Sequence, residues 1–139
     1  MIALDSSVLL DLLTGDATHG EASEICVGDA LAREDVVVCE AVVAEVQALL
    51  DTSVSLVEIL ASIGIRFEPV REAAAIRAGL MHRRYRGRGG SRERVTADFL
   101  VGAHALLQCS ALITRDAGFY RDYFKGLKLI TPKLPRQAA

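Results

Sequence analysis

Four acidic residues lie within or directly after apolar segments, and their types and spacing could support chemistry. They are Asp5 after the run 1–4, Glu45, Asp98, and Asp116 after the run 111–115. Burying a carboxylate costs free energy unless a cation or hydrogen-bond donors compensate for the lost water. If the four segments converge, their hard oxygen atoms suit a divalent ion such as Mg²⁺ or Mn²⁺. The four acids therefore predict a metal site.

The composition indicates one ordinary globular domain. The chain has 139 residues, of which 51% are hydrophobic, so it can bury one sizeable core, and we expect a single domain spanning residues 1–139. No apolar run approaches the roughly 20 residues that cross a bilayer, and the first residues lack the basic region of a secretion signal. We therefore expect a cytoplasmic protein that does not enter the membrane. The three widely spaced cysteines are expected to be reduced thiols.

Apolar runs alternate with segments of helical periodicity along the whole chain, which predicts an α/β fold. The predicted strands are 1–4, 36–39, 65–67, 111–114 and 127–130. The predicted helices are 8–14 (with 5–7 as its cap), 19–33, 41–50, 53–62, 71–85, 96–109 and 117–124. This order predicts helices packed around a mainly parallel central sheet of four to five strands.

The predicted elements suggest where the acids meet. Asp5 and Asp116 follow strands, and parallel sheets form their sites at the carboxyl ends of strands. On a helical wheel, Asp98 shares a stripe with small residues such as Gly102, which favours close packing. His104 lies on the polar side of the same wheel and is predicted to be an ordinary surface residue. Asp98 is therefore expected to point away from solvent.

Each acid also has a plainer interpretation. Asp5 and Asp116 precede helices and could be N-caps, and Asp98 could border the start of its helix. Glu45 stands at the boundary of an apolar helix face and could be solvated. Asp122, six residues after Asp116, competes with it for a place in the site, although its charged and aromatic neighbours are typical of an exposed helix. Capping and metal binding can coexist.

Four segments in this order resemble the PIN-domain ribonucleases, in particular the VapC toxins of toxin-antitoxin pairs. The segments are 2–10, 41–46, 98–105 and 112–120. The resemblance spans nearly the whole chain and implies a three-layer sandwich. It also implies a Mg²⁺-dependent or Mn²⁺-dependent endoribonuclease that acts as the toxin of a type II toxin-antitoxin module. A cognate antitoxin and a homodimer are the partners that this resemblance implies.

The resemblance also assigns roles to individual residues. Asp5, Glu45, Asp98 and Asp116 match the family's metal-binding acids, and Thr114 matches its Ser/Thr near the site. Asp5, Asp98 and Asp116 are expected to ligate the metal, with Glu45 as a further ligand or as the residue that orients the attacking water. The implied reaction is metal-assisted hydrolysis of a phosphodiester. If these acids crowd together, repulsion between like charges should raise their pKa values.

Two positions depart from the family pattern. Ser7 stands where many members carry Asn, which affects only the hydrogen bonds around the site. Glu40 stands where a proline is frequent, so Glu40 and Glu45 compete for the second acidic position. The Ala-Glu-Val sequence of 44–46 favours Glu45.

Six arginines and one tyrosine lie in residues 82–94, just before Asp98. Such a basic stretch, in a chain whose formal charge is −2, favours contact with an RNA backbone, and Tyr85 could stack on a base. The alternative is a solvated helix end followed by a mobile loop. The residues predicted to bind RNA are Arg83, Arg84, Arg86, Arg88 and Arg92.

Other functions remain open on sequence alone. A phosphohydrolase could use Asp5 as its nucleophile, but such enzymes need a second aspartate at position 7, where this chain has Ser7. A solitary PIN nuclease in RNA processing would share the site and lack the antitoxin. A non-catalytic RNA-binding or receiver-like module could bind metal through the same acids without turnover.

Overall fold

Five short parallel strands form the central sheet in the computed structural model, which describes residues 1–134. The strands are β1 (Ile2–Leu4), β2 (Val36–Val38), β3 (Ile65–Phe67), β4 (Ala111–Ile113) and β5 (Leu129–Ile130). Their order across the sheet is β3-β2-β1-β4-β5, so β1 lies at the centre. Ala3 of β1 is in register with Val37 of β2 and with Leu112 of β4.

Helices make the connections between these strands. Within the described residues they are α1 (Ser6–Thr14), α2 (Gly20–Leu31), α3 (Glu40–Leu49), α4 (Leu56–Ile63), α5 (Glu72–Gly87), α6 (Thr96–Gln108) and α7 (Ala117–Tyr123). Parallel strands are normally joined by right-handed crossovers, so the change of direction after β3 distributes helices over both faces of the sheet. The predicted α/β sandwich is confirmed, and its elements occur in the predicted order.

The point that matters most for function is the reversal of strand order. The chain proceeds from β1 outward to β2 and β3, then returns to place β4 on the other side of β1. Ligand sites in such sheets form outside the carboxyl ends of the strands that flank this reversal. Here those strands are β1 and β4, and Asp5 and Thr114 follow them directly.

The three inner strands explain the apolar runs of the sequence. Every residue of β1, β2 and β4 is buried, as expected for parallel strands covered on both faces. The edge strand β3 buries Ile65 and leaves Arg66 and Phe67 exposed. No helix within residues 1–134 is both long and apolar enough to cross a bilayer.

The prediction for His104 was wrong. His104 is 1% exposed, whereas the apolar Leu107 on the same helix is 44% exposed. α6 packs against α3, α5, β1 and β4, so little of its surface is left for solvent and a wheel that assigns polar residues to the outside fails. The small residues of this helix do serve close packing, because a Cβ on Gly102 would overlap the ring of Phe124.

Candidate active site

Asp5 lies at the junction of β1 and α1, at the carboxyl end of the central strand. It is the N-cap of α1, and its carboxylate accepts a hydrogen bond from the Ser6 backbone N–H at 2.8 Å. Its other oxygen accepts a 2.7 Å hydrogen bond from the hydroxyl of Thr114. Asp5 is only 8% exposed. The capping interpretation is therefore correct without excluding a functional role.

Thr114 connects the two strand ends on which the site was predicted. Its fully buried hydroxyl donates to Asp5 and accepts from the backbone N–H of Asp116 at 2.9 Å. One side chain thus ties the segment after β1 to the segment after β4. This arrangement orients the Asp5 carboxylate and the start of α7 together.

Glu45, and not Glu40, is the acid of α3 that faces the other site carboxylates. Its carboxylate accepts a long hydrogen bond, 3.5 Å, from the Ser6 hydroxyl, and it is close enough to Asp98 for the two charges to repel. Glu40 instead accepts from the backbone N–H of Val70 at 2.7 Å, which holds the connection between β3 and α5. These contacts agree with the sequence pattern, which favoured Glu45 over Glu40.

Asp98 occupies the first turn of α6 and also combines a structural and a site position. Its carboxylate accepts a 2.9 Å hydrogen bond from the backbone N–H of Val95, the residue that begins the helix. An acid in a first turn is favoured by the helix dipole as well. The same carboxylate is near enough to Asp5 and Glu45 to affect their ionisation.

Asp116 forms an ion pair with Arg94, a residue that was not among the predicted site residues. The Arg94 guanidinium contacts Asp116 Oδ2 and stacks 4.2 Å from the ring centroid of Phe119. Asp122 is exposed, as predicted, so Asp116 is the acid of this region that joins the site. In the sequence, Arg94 lies only four residues before Asp98. It was not singled out because it belongs to the arginine-rich stretch 82–94.

The electrostatics of the site are those of crowded, poorly solvated acids. Burial is the main cause that raises the pKa of Asp5, and the nearby charges of Asp98 and Asp116 raise it further. Burial also raises the pKa of Glu45, with Asp98 and Asp5 adding to it. The predicted rise is found in both residues, although desolvation contributes more than repulsion. A bound cation would offset both the lost hydration of the acids and the repulsion between them.

Tyr120 is a second residue that sequence analysis did not identify near the acids. It is 2% exposed, and its pKa lies far above the ordinary value because of burial and then the charges of Asp5, Asp98 and Asp116. The pKa of Arg94 is also raised: partial burial opposes its charge, but the hydrogen bond to Asp116 and the nearby charges of Asp116 and Asp98 together outweigh that. Tyr120 therefore remains a neutral phenol beside the carboxylates.

A second group of acidic and histidine side chains is more tightly clustered than the four acids of the predicted site. Within residues 1–134, the ligand atoms of Asp11, Asp16 and His19 lie within 4.8 Å of one another. These atoms are already engaged, however. Asp11 accepts from Ser23 at 2.8 Å and from two nitrogens of Arg115 at 2.9 and 3.1 Å, and His19 hydrogen-bonds to Asp16. In this group the charge of Asp11 is therefore already balanced by Arg115.

The predicted site has the donor chemistry that a hard divalent ion prefers. Asp5, Glu45, Asp98 and Asp116 supply carboxylate oxygens, and Thr114 supplies a buried hydroxyl that orients one of them. The four acids are spaced more widely than the Asp11 group, and each has its own hydrogen-bond or ionic partner. Mg²⁺ normally takes one or two protein carboxylates and retains several waters, so an open arrangement of this kind fits it.

The structure divides the predicted RNA-binding arginines between two surfaces. Arg86 and Arg92 line an open cavity of about 750 Å³ together with Arg94 and Thr96, next to the carboxylates. Arg84 and Arg88 line a different cavity of about 210 Å³, with Asp122 and Lys125. Arg83 is exposed on α5. Tyr85 packs its ring against Phe99 and Tyr123, and its hydroxyl lies 3.2 Å from that of Ser91.

Comparison with known proteins agrees with the fold and the order of the motifs. A family model described as PIN domain matches residues 2–125. No curated protein sequence matches the chain at a significant level.

Solved structures of similar fold cover nearly the whole chain. VapBC2 from Rickettsia felis, bound to a DNA fragment from its promoter, is 15% identical with a TM-score of 0.70, over 94% of this chain and 98% of that one. FitAcB from Neisseria gonorrhoeae is 25% identical with a TM-score of 0.64, over 95% and 98%. VapC20 from Mycobacterium tuberculosis, described as a toxin that cleaves the sarcin-ricin loop, is 19% identical with a TM-score of 0.60, over 92% and 99%.

Proposed function

The chain belongs to the PIN-domain family, as its motifs predicted, and we propose that it is a metal-dependent endoribonuclease acting as the toxin of a toxin-antitoxin module. The observation that carries this proposal is the carboxylate site at the strand reversal. Asp5 and Asp116 follow the two strands that flank the reversal, and Asp98 and Glu45 approach from helices. Thr114 hydrogen-bonds to the first two.

Each residue of the site has a role in this proposal. Asp5, Asp98 and Asp116 would hold a divalent ion, and Glu45 would either join them or orient the attacking water. A divalent ion supplies activation of water and neutralisation of charge on the phosphate. Thr114 keeps the Asp5 carboxylate facing the site. Burial of Asp5 shields this carboxylate from bulk water.

Similarity to toxin-antitoxin structures supports the biological part of the proposal. The similar structures include VapBC pairs from Rickettsia felis and nontypeable Haemophilus influenzae and a toxin-antitoxin complex from Klebsiella pneumoniae. A protein antitoxin is accordingly the partner that we propose for this chain, together with a homodimeric state. RNA is the proposed substrate.

A nuclease assay with a matched control tests the catalytic part. Asp98→Asn removes a charge from the site while keeping the side-chain volume and an acceptor for the Val95 N–H. Asp122→Asn makes the same chemical change at an exposed position on α7. We expect Asp98→Asn to lower Mn²⁺-dependent RNA cleavage by more than about 100-fold, because even changes to the partners of metal ligands cost about 10- to 100-fold. The control should cleave normally.

The result that would contradict the proposal is equal cleavage by both variants. If instead neither the natural chain nor the control cleaves any RNA while both bind Mn²⁺, the metal-binding module without turnover is the better interpretation. Cleavage that is indifferent to chelation of divalent ions would overturn the metal dependence alone.

Two pairs of arginines test where the RNA lies. Arg86 and Arg92 line the cavity beside the carboxylates, whereas Arg84 and Arg88 line the other cavity. Each lost phosphate contact lowers the salt slope of binding by about 1. We expect Arg86→Ala with Arg92→Ala to reduce the slope by about 2 and the other pair to leave it unchanged. Equal effects of both pairs would place the RNA across the whole arginine-rich stretch.

A further inference from the structure

Arg94 is the cation that contacts the carboxylate site in this structure. Its guanidinium binds Asp116 Oδ2 on one side and stacks on the Phe119 ring on the other. The side chain is 28% exposed, so it is held by contacts and yet open to solvent. The next residue is Val95, whose N–H binds Asp98. Arg94 therefore directly precedes the residue that hydrogen-bonds to a second acid of the site.

The contact with Asp116 cannot coexist unchanged with metal ligation. Asp116 Oδ2 accepts from Arg94, and a divalent ion would require the same carboxylate as a ligand. Both occupants are cations, so they also repel each other across a few ångströms. Binding of an ion by Asp116 must therefore weaken or break the contact with Arg94.

A displaced Arg94 has an arginine-lined cavity within reach. It lines the open cavity of about 750 Å³ to which Arg86 and Arg92 also contribute. A planar guanidinium matches a phosphate as well as it matches a carboxylate, because both present paired oxygens. The cavity thus brings three arginine side chains to the edge of the carboxylate site.

We propose that Arg94 is an exchangeable counter-ion: it releases Asp116 when a divalent ion binds and then holds a phosphate of the RNA in the adjacent cavity. This inference rests on the proposed function, because it requires the carboxylates to bind metal. It makes Arg94 a substrate-binding residue that opposes metal binding. If Arg94 only stabilised the fold, its replacement would leave the affinity for the metal unchanged or lower it.

Titration with Mn²⁺ alone, followed by calorimetry on the purified full chain, separates these possibilities. Arg94→Ala removes the competitor, and Arg94→Lys keeps a charge near Asp116. Arg121→Ala removes the same charge from an exposed position on α7 and is the matched control. We expect Arg94→Ala to bind Mn²⁺ up to about fivefold more tightly, the effect of losing a partly exposed ion pair. Arg94→Lys and the control should stay close to the natural chain.

Steady-state cleavage at saturating Mn²⁺ provides the second measurement. The KM for RNA should rise about fivefold in Arg94→Ala, since a partly exposed ionic contact to phosphate is lost, and should not change in the control. Unchanged or weaker Mn²⁺ binding by Arg94→Ala, with normal binding by the natural chain, would overturn the inference and leave the proposed function standing. Absence of Mn²⁺ binding in every variant would overturn the metal site itself and the inference with it.

Discussion

Two buried aspartates, one at the start of α1 and one in its middle, have very different surroundings. Asp5 begins α1 and Asp11 lies two turns later, and they are 8% and 4% exposed. Asp11 is neutralised by the Arg115 guanidinium, which donates through two of its nitrogens, and it also accepts from the Ser23 hydroxyl. Asp5 receives only uncharged donors, and its charged neighbours are acids.

The comparison teaches that burial and close spacing do not by themselves identify a metal site. The Asp11 group has the shorter spacing between ligand atoms, but the charge of Asp11 is already compensated by Arg115. The Asp5 group is spaced more widely and carries a surplus of negative charge, which a cation can relieve. Within the described residues Asp11 is paired with an arginine, whereas Asp5 accepts only from uncharged donors. This difference in charge compensation, and not the spacing of the oxygen atoms, distinguishes the two.

The largest expected effect comes from breaking the compensated pair. Asp11→Asn leaves Arg115 without its anion while keeping the side-chain volume. Removing one partner of a fully buried pair costs about 3–5 kcal/mol, and since Arg115 is one-third exposed we expect a loss of about 2 kcal/mol in the free energy of unfolding. Urea denaturation measures it. The exposed Asp122→Asn should stay within about 0.5 kcal/mol of the natural chain.

If Asp11→Asn were as stable as that control, the claim that the Asp11–Arg115 pair stabilises the fold would be wrong. The folded fraction of Asp11→Asn should still bind Mn²⁺, because Asp11 is not among the proposed ligands. Loss of that binding in correctly folded protein would show that the two regions are not separate.

Thr114 offers a way to disturb the Asp5 region without changing any charge. Thr114→Val keeps the shape and removes the hydroxyl that donates to Asp5 and accepts from the Asp116 N–H. We expect RNA cleavage to fall about 10- to 100-fold, as for other residues that orient metal ligands, and stability to fall by about 1 kcal/mol. Thr114→Ser, which restores the hydroxyl, should recover most of the activity. Failure of this rescue would mean that packing, not orientation, is the role of Thr114.

Asp5→Asn should change stability in the direction opposite to Asp11→Asn. It removes a buried charge that has no cationic partner, while an amide oxygen can still accept from Ser6 and cap α1. We expect the free energy of unfolding in the absence of divalent ions to rise by about 1 kcal/mol, a usual gain at sites where function opposes stability. Thermal unfolding in a chelating buffer checks it. A lower free energy of unfolding for Asp5→Asn would contradict the interpretation that Asp5 carries an uncompensated buried charge.

The smallest and most diagnostic effect is the pH dependence of that difference. Because the pKa of folded Asp5 is raised above 3.8, the folded chain binds a proton more readily than the unfolded chain does. The natural chain should therefore lose stability relative to Asp5→Asn as pH rises from 3.8 through the raised pKa. Below pH 3.8, Asp5 is protonated in the folded chain and in the unfolded chain, so the two proteins should be equally stable. If the difference in stability between the two proteins instead grew as the pH fell, its sign would be opposite to the one expected. Burial of Asp5 could then not be its cause.

Local patterns predicted most of the fold because they reflect interactions between near neighbours in sequence. The apolar runs became buried strands, and Asp5 followed by Ser6 and Ser7 became a helix start. The failures have the opposite origin. His104 is buried because four elements surround α6, which helical periodicity does not reveal.

The amino-acid sequence by itself determined the α/β order of elements, the PIN-domain motifs and the short list of acids, since these depend on residue types and on spacing along the chain. The tertiary structure alone decided which partner each carboxylate contacts. Glu40 and Asp11 are engaged by partners 30 and 104 residues away, and Arg94 reaches Asp116 across a loop and a helix. Compensation of a charge depends on distances in space, and those exist only in the folded chain.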